Sequence, residues 1–193
     1  IIEKNILSKE QSISDLSHRF ISKYIRRTSY LRGDYKYIVD KMPENFLYLG
    51  FIQKLLPKSK IIRIYRNPWD TATSLYKQRY VLNVPYSVSF FNIGVFLANF
   101  EAINIFWDKN IKNNEFILDI KYENLVSDNS THQKKIYDYL GINAKYSEKA
   151  RNDFFSPTAS IRQVRDGIHQ KSIEKNEFSH HKSEFFDALL MQR

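Results

Sequence analysis

The chain has no cysteine, and only five glycines and five prolines among 193 residues. Without thiols it forms neither disulfides nor thiolate metal sites; nothing calls for an oxidising compartment, and a cytoplasmic location is favoured. Gly33, Gly50, Gly94, Gly141 and Gly167 stand singly. No G-x-x-x-x-G-K-S/T or G-T-T cluster occurs, so the usual backbone cradle for phosphates is missing. The five histidines lack ligand spacing, and His180 and His181, adjacent in a polar stretch, read as solvated; no metal site is expected. No apolar run approaches the roughly 20 residues that span a bilayer, so no membrane span is expected. No signal-peptide pattern, repeat or low-complexity linker is recognisable.

What is present describes a globular protein. Apolar residues make up 42% of the chain and aromatic ones 15%, enough to bury a substantial core in one domain over residues 1–193. The net charge of +9 favours an anionic partner: a nucleotide, an acidic glycan, a membrane surface or nucleic acid.

The most informative stretch is Lys60 to Ser74, K-I-I-R-I-Y-R-N-P-W-D-T-A-T-S. Ile61, Ile62, Ile64 and Tyr65 form a short apolar run broken only by Arg63, which suits a parallel strand buried on both faces. Asn67 can cap a helix and Pro68 suits its first position. The chain therefore turns from strand to helix at Arg66, at the strand edge where open α/β sheets bind ligands and helix N-termini favour anions. A guanidinium there can grip a phosphate monoester bidentately while its stem leans toward the hydroxyl of Ser74, about two turns along. The alternative is an arginine paired with Asp70 on a solvated helix start.

Three other stretches bear on that choice. Tyr37 to Pro43, Y-I-V-D-K-M-P, reads as a second strand ending in Asp40 and Lys41; Phe116 to Leu125, F-I-L-D-I-K-Y-E-N-L, as a third ending at Tyr122 and Glu123. Ser160 to Lys175 is basic with little hydrophobic periodicity.

Taken in order, D-K-M-P, R-N-P-x-D-x-x-x-S, K-Y-E-N-L and S-x-x-Q-V resemble the sulfotransferases that use 3'-phosphoadenosine 5'-phosphosulfate, most closely bacterial ones similar to tyrosylprotein sulfotransferases. The resemblance spans about Tyr37 to Phe178. It implies that Arg66 and Ser74 hold the 3'-phosphate, that Tyr122 contacts the same nucleotide, and that Ser160 opens a segment folding over it with Lys175 near the end. Lys41 matches the lysine that stabilises the transferring sulfuryl group. Two features depart from the family pattern. Relatives carry a strand and Gly-Thr loop near the N-terminus, absent here, so an upstream segment is expected to be missing from this sequence. Gln78 stands where tyrosylprotein sulfotransferases place a phosphate-directed arginine, flanked by Lys77 and Arg79.

No catalytic base is identifiable. Glu3 and Glu10 lack a recognisable context, and Asp40 and Glu44 read as structural partners of Lys41 or helix-start charges.

The remainder reads as scaffold. Ser8–Tyr30 carries a helical stripe of Ile13, Leu16, Phe20, Ile21, Tyr24 and Ile25 with a basic outer face. Helices are also expected at Asn45–Leu56, Ser87–Lys109, Thr131–Leu140 (ending at a left-handed Gly141) and Ser183–Met191. The aromatics of the long helix read as core, yet Tyr80, Tyr86 and Phe90 border the acceptor pocket of similar enzymes and are candidates for acceptor contact. The implied fold is α/β: a three-layer parallel sheet with helices on both faces, of the P-loop nucleotide-kinase-like type, lacking its phosphate-loop strand.

The expected function is sulfuryl transfer to a hydroxyl of a glycan, peptide or small metabolite, with no nucleic-acid partner. The competing reading is a non-catalytic basic module that binds sulfated glycan or nucleic acid. A nucleotide kinase shares the fold but needs a Walker loop and a magnesium carboxylate that the sequence lacks. Acceptor identity and oligomeric state are not encoded in the nucleotide motifs.

Overall fold

The computed structural model describes residues 10–28, 37–78, 84–111, 115–143 and 178–191. In chain order these form α1 (Glu10–Thr28), a 3-10 turn (Pro43–Tyr48), α2 (Leu49–Leu55), β1 (Ile61–Tyr65), α3 (Pro68–Lys77), a second 3-10 turn (Pro85–Val88), α4 (Phe90–Asn110), β2 (Ile117–Lys121), α5 (Tyr122–Ser127), α6 (Asn129–Leu140), a third 3-10 turn (Ser179–His181) and α7 (Lys182–Leu190). They fall into two compact units. The first is Ile1–Ser59 with Ile103–Lys112, and the second is Lys60–Ala102 with Asn113–Arg193.

The second unit is built on the parallel pair β1 and β2, in the register Ile61↔Ile117 through Tyr65↔Lys121. Arg63, the one charge in β1's apolar run, lies opposite Asp119 and forks onto its carboxylate, Nε to Oδ1 at 2.5 Å and Nη2 to Oδ2 at 2.7 Å. At the strands' other end the Tyr139 hydroxyl of α6 lies 2.7 Å from the Phe116 carbonyl and 3.1 Å from that of Ile61. Burial raises the pKa of that hydroxyl, opposed by the Ile61 N–H that donates to its oxygen at 3.2 Å.

Helix α3 starts as its sequence predicts. The Asn67 side chain accepts from the N–H groups of Trp69 at 2.9 Å and Asp70 at 3.2 Å, and Pro68 occupies the first turn. Spacing of three and four residues turns Trp69, Ala72 and Thr73 inward, and the buried Thr73 hydroxyl is satisfied by the Asp70 carbonyl at 3.0 Å. Trp69 packs with Phe90, Ile93 and Ala98 of α4 and Phe185 and Leu189 of α7 into one core. Its ring centroid lies 5.2 Å from that of Phe90 and 5.5 Å from that of Phe185. Gly94 permits that packing, because a Cβ there would stand 2.7 Å from the Phe185 carbonyl oxygen and 2.8 Å from the Ala188 Cβ. Helix α6 is capped by Asp128, which accepts from Thr131 N–H at 3.2 Å, and closes at Gly141 with φ of 68°.

Among the described residues the first unit has fewer buried ones, namely Leu49, Leu55 and Ile111. Phe20 of α1 meets Phe51 of α2 edge-on at 5.9 Å. Trp107 donates from Nε1 to the Phe46 carbonyl at 2.7 Å.

Three expectations are corrected. Tyr37–Pro43 is not a strand: residues 37–42 are exposed and make no strand pairing, and a strand exists only through its ladder. Strand β1 is not buried on both faces, since Ile64 is 51% and Tyr65 48% exposed. Among the described residues the sheet has two strands, so β1 is paired along one edge only. Third, His181 is not simply solvated; its ring stacks on Phe90 at 4.9 Å and pairs with Glu184 at 3.1 Å. Helix α4 is long and apolar enough to cross a membrane by length and composition. Its Ile93, Gly94 and Ala98, however, are buried in the protein's own core.

Candidate functional site

The site begins at the carboxyl ends of the two strands. Because Tyr65 pairs with Lys121, the next residues out, Arg66 and Tyr122, emerge side by side. The Arg66 guanidinium carbon lies 5.0 Å from the centroid of the Tyr122 ring, a cation–π arrangement that holds a long, flexible cation in one direction. One residue further, Asn67 donates its backbone N–H to Glu123 Oε1 at 2.7 Å. Arg66 and Tyr122 are both half-buried, so the cation is partly desolvated, yet open on one side.

The helix start adds a second source of positive potential, because the N–H groups of α3 point toward the strand ends. Asp70 is 4% exposed, while Asn67 and Pro68 at the helix start are exposed. Ser74 is exposed, and at 100° per residue it falls on the same helix face as Asn67, about 10 Å further along the axis. Thr71, between them on that face, is bonded to the Asn67 carbonyl at 3.0 Å. Gln78, at the end of α3, follows one turn beyond Ser74. A phosphate reached by Arg66 from the strand end and by Ser74 from this face would sit along α3's first two turns.

Lys41 belongs to the first unit and is exposed, in the unpaired segment that leads to the Pro43–Tyr48 turn. The structure gives its neighbour Asp40 a partner other than that lysine. The Tyr24 hydroxyl donates to Asp40 Oδ2 at 3.1 Å, tying the segment to α1. Burial raises the Tyr24 pKa, and the charge of Asp40 and its hydrogen bond add to the effect. Ser160, Lys175, Tyr80 and Arg79 lie outside the described residues. Phe90 is withdrawn as an acceptor contact: it is 1% exposed, at the centre of the core. Tyr86 remains half-buried, stacked flat on Phe96 at 3.8 Å.

Sequence reasoning brought Arg66 and Tyr122 together and placed Ser74 on the helix. It gave no role to Glu123, although the sequence puts a carboxylate directly after Tyr122 at the strand's end.

The model of the sulfotransferase family matches residues 3–147, which contain both strands, α3 and the D-K-M-P stretch. This chain belongs to the sulfotransferase family. An uncharacterized protein of Aquifex aeolicus (strain VF5) is 30% identical over 157 residues, covering 79% of this chain and 20% of the relative. The chain thus spans about a fifth of the length of that curated relative. The sulfotransferase match includes Lys41, Arg66, Ser74 and Tyr122 and ends before Ser160 and Lys175. An α/β protein with parallel strands is what the family and the structure support together.

Proposed function

We propose that the chain takes 3'-phosphoadenosine 5'-phosphosulfate as sulfuryl donor, with a hydroxyl-bearing glycan, peptide or small metabolite as acceptor. The observation that carries this reading is the seating of Arg66 over Tyr122 at 5.0 Å, at the ends of two paired parallel strands. An arginine aimed beside a helix N-terminus suits a dianionic phosphate, and the tyrosine offers a face for the nucleotide. Ser74 adds a hydroxyl on the face that starts at Asn67. The donor supplies an activated sulfuryl group, whose bond to the 5'-phosphate breaks as the acceptor oxygen bonds to sulfur. The acceptor proton leaves to a base, and the electron pair of the broken bond goes to the phosphate. Lys41, on the strength of its D-K-M-P motif, offsets that charge with its ammonium. Ser160 and Lys175 are assigned to the nucleotide on the motif alone. The wider fold reading, a three-layer P-loop-like sheet, belongs to the same proposal.

The test is binding of 3'-phosphoadenosine 5'-phosphate against adenosine 5'-phosphate. The wild-type chain should prefer the former. Arg66→Ala should erase the preference, losing about 1.5–3 kcal/mol, the worth of a hydrogen bond to a charged group. Ser74→Ala should lose about 1 kcal/mol. An unchanged preference in both variants sinks the assignment.

A second reading has one observation in its favour. Arg19, Lys23, Arg26 and Arg27 are all exposed at helical spacing on α1, which suits a polyanion such as sulfated glycan. Binding of that kind should weaken steeply with salt and ignore Arg66 and Lys41.

A further inference from the structure

The value of Arg66 depends on how firmly it is aimed, and the turn that aims it is held from the neighbouring strand. Extending the register Tyr65↔Lys121 by two residues brings Asn67 beside Glu123. The Asn67 N–H, which lies outside the helix ladder, is taken by Glu123 Oε1 at 2.7 Å. The Asn67 side chain is already occupied, capping Trp69 and Asp70. The residue after Arg66 is therefore fixed twice, by its side chain to α3 and by its backbone to α5. Glu123 Oε2 is shielded from solvent and makes no hydrogen bond among the described residues, so the carboxylate serves the turn and not the surface.

We infer that Glu123 is a positioning residue: its carboxylate locks the β1–α3 turn to the β2–α5 turn and so keeps the Arg66 guanidinium over Tyr122, aimed at the 3'-phosphate. This deepens the proposed nucleotide site and rests on that reading. The mechanism is preorganisation. Without the Glu123 bond the Arg66–Asn67 peptide keeps the Asn67 cap on α3 but loses its tie to the neighbouring strand's end, and small displacements of a charged anchor are costly to binding. A carboxylate that touched the ligand's phosphate would act in the opposite sense, because its negative charge would repel the anion.

The experiment compares Glu123→Ala, Glu123→Asp and Glu123→Gln in the full chain. Affinity is measured for 3'-phosphoadenosine 5'-phosphate and for adenosine 5'-phosphate, and amide exchange is followed at Asn67. Alanine removes the acceptor and aspartate withdraws it by one methylene, whereas glutamine keeps an oxygen that can accept the same N–H. Glu123→Ala and Glu123→Asp should bind the 3'-phosphorylated nucleotide on the order of 10-fold more weakly, with adenosine 5'-phosphate unchanged and Asn67 exchanging faster. Glu123→Gln should stay within about threefold of wild type, since a neutral acceptor makes a somewhat weaker bond. Should Glu123→Ala fail to fold, the aspartate and glutamine variants carry the comparison. Unchanged 3'-phosphate preference in the aspartate variant overturns the inference, as does tighter binding by Glu123→Gln, which would mean a direct repulsive contact. A wild-type chain that does not distinguish the two nucleotides overturns the site itself, an outcome separable from either of these.

Discussion

The two units of this chain carry their candidate site residues in different ways. In the second unit Arg66 and Tyr122 follow directly on paired strands, and the unit has a core containing Trp69, Phe90, Ile93 and Phe185, each 6% exposed or less. In the first unit Lys41 rides on a segment that is not a strand among the described residues, where the Tyr24 hydroxyl donates to Asp40 and the Asn45 N–H to the Met42 carbonyl. Arg66 is thus held at the end of a paired strand over the Tyr122 ring, whereas the lysine follows a stretch of irregular backbone. The difference matches the division of labour proposed for them. A group that binds a phosphate in the ground state gains from being fixed in advance, and a group that acts only as charge develops can tolerate looser support.

The sharpest way to break the contrast is to open the second unit's core. Phe185→Ala should cost about 3–5 kcal/mol, the ordinary range for deleting a buried phenylalanine, measured by urea denaturation. Gly94→Val should be comparably severe, since its side chain must displace the Phe185 backbone carbonyl. If Phe185→Ala unfolds the chain no more easily than a surface substitution, the core drawn around it is wrong. The equivalent lesion in the first unit is smaller. Trp107→Phe removes the bond to the Phe46 carbonyl and should cost about 1–2 kcal/mol, with nucleotide affinity unaffected.

Within the site, the expected loss is smaller still for the aromatic partner. Tyr122→Leu should keep the nucleotide's apolar contact but give up the cation–π term, about 0.5–1 kcal/mol, or severalfold in affinity for 3'-phosphoadenosine 5'-phosphate. A larger effect than Arg66→Ala would reverse the order of importance assigned to the two residues. The Arg63–Asp119 fork supplies the control, because it lies mid-strand in the same sheet, before the ends from which Arg66 and Tyr122 emerge. Asp119 is 42% exposed at its side chain, so Asp119→Asn should shift stability by less than about 1 kcal/mol and leave the nucleotide preference alone.

How much of this was legible in the sequence depended on whether the signal was local. The cap at Asn67, the proline after it and the left-handed Gly141 are short-range consequences of residue type, and each appears where expected. The Arg66–Tyr122 pairing was legible only through motif order, since the two residues are far apart in the chain and meet through strand register. Tyr37–Pro43 misled because alternation and β-branching describe a strand's side chains, while the strand itself needs a partner's N–H and C=O groups. Phe90 misled in the other direction: the resemblance sets the loop before its helix beside an acceptor pocket, yet stacking on Trp69 and Tyr76 buries it. Glu123 was overlooked because its role is to hold a backbone N–H contributed by the other strand, and no pattern within K-Y-E-N-L announces that.

The smallest expected effect, and the most specific to the comparison, is on alkaline stability. Tyr24 in the first unit and Tyr139 in the second both have raised pKa values, for different reasons. At Tyr139 burial acts against a backbone bond; at Tyr24 burial is reinforced by the negative charge of Asp40. A raised folded-state value means that the neutral phenol is what the fold favours. The associated stability is therefore fully present below the unfolded tyrosine's value of about 10 and is lost as pH rises through the folded one. Tyr24→Phe should lower the urea midpoint slightly at pH 8 and flatten its decline toward pH 11, because the ionisation that repels Asp40 is gone. Tyr139→Phe should flatten it too, but at a greater loss at pH 8, since it abandons the Phe116 carbonyl at the strands' base. Equal curves for wild type and Tyr24→Phe across that range would mean that the Tyr24–Asp40 tether does not hold the Lys41 segment in solution, and the support assigned to that lysine would have to come from elsewhere.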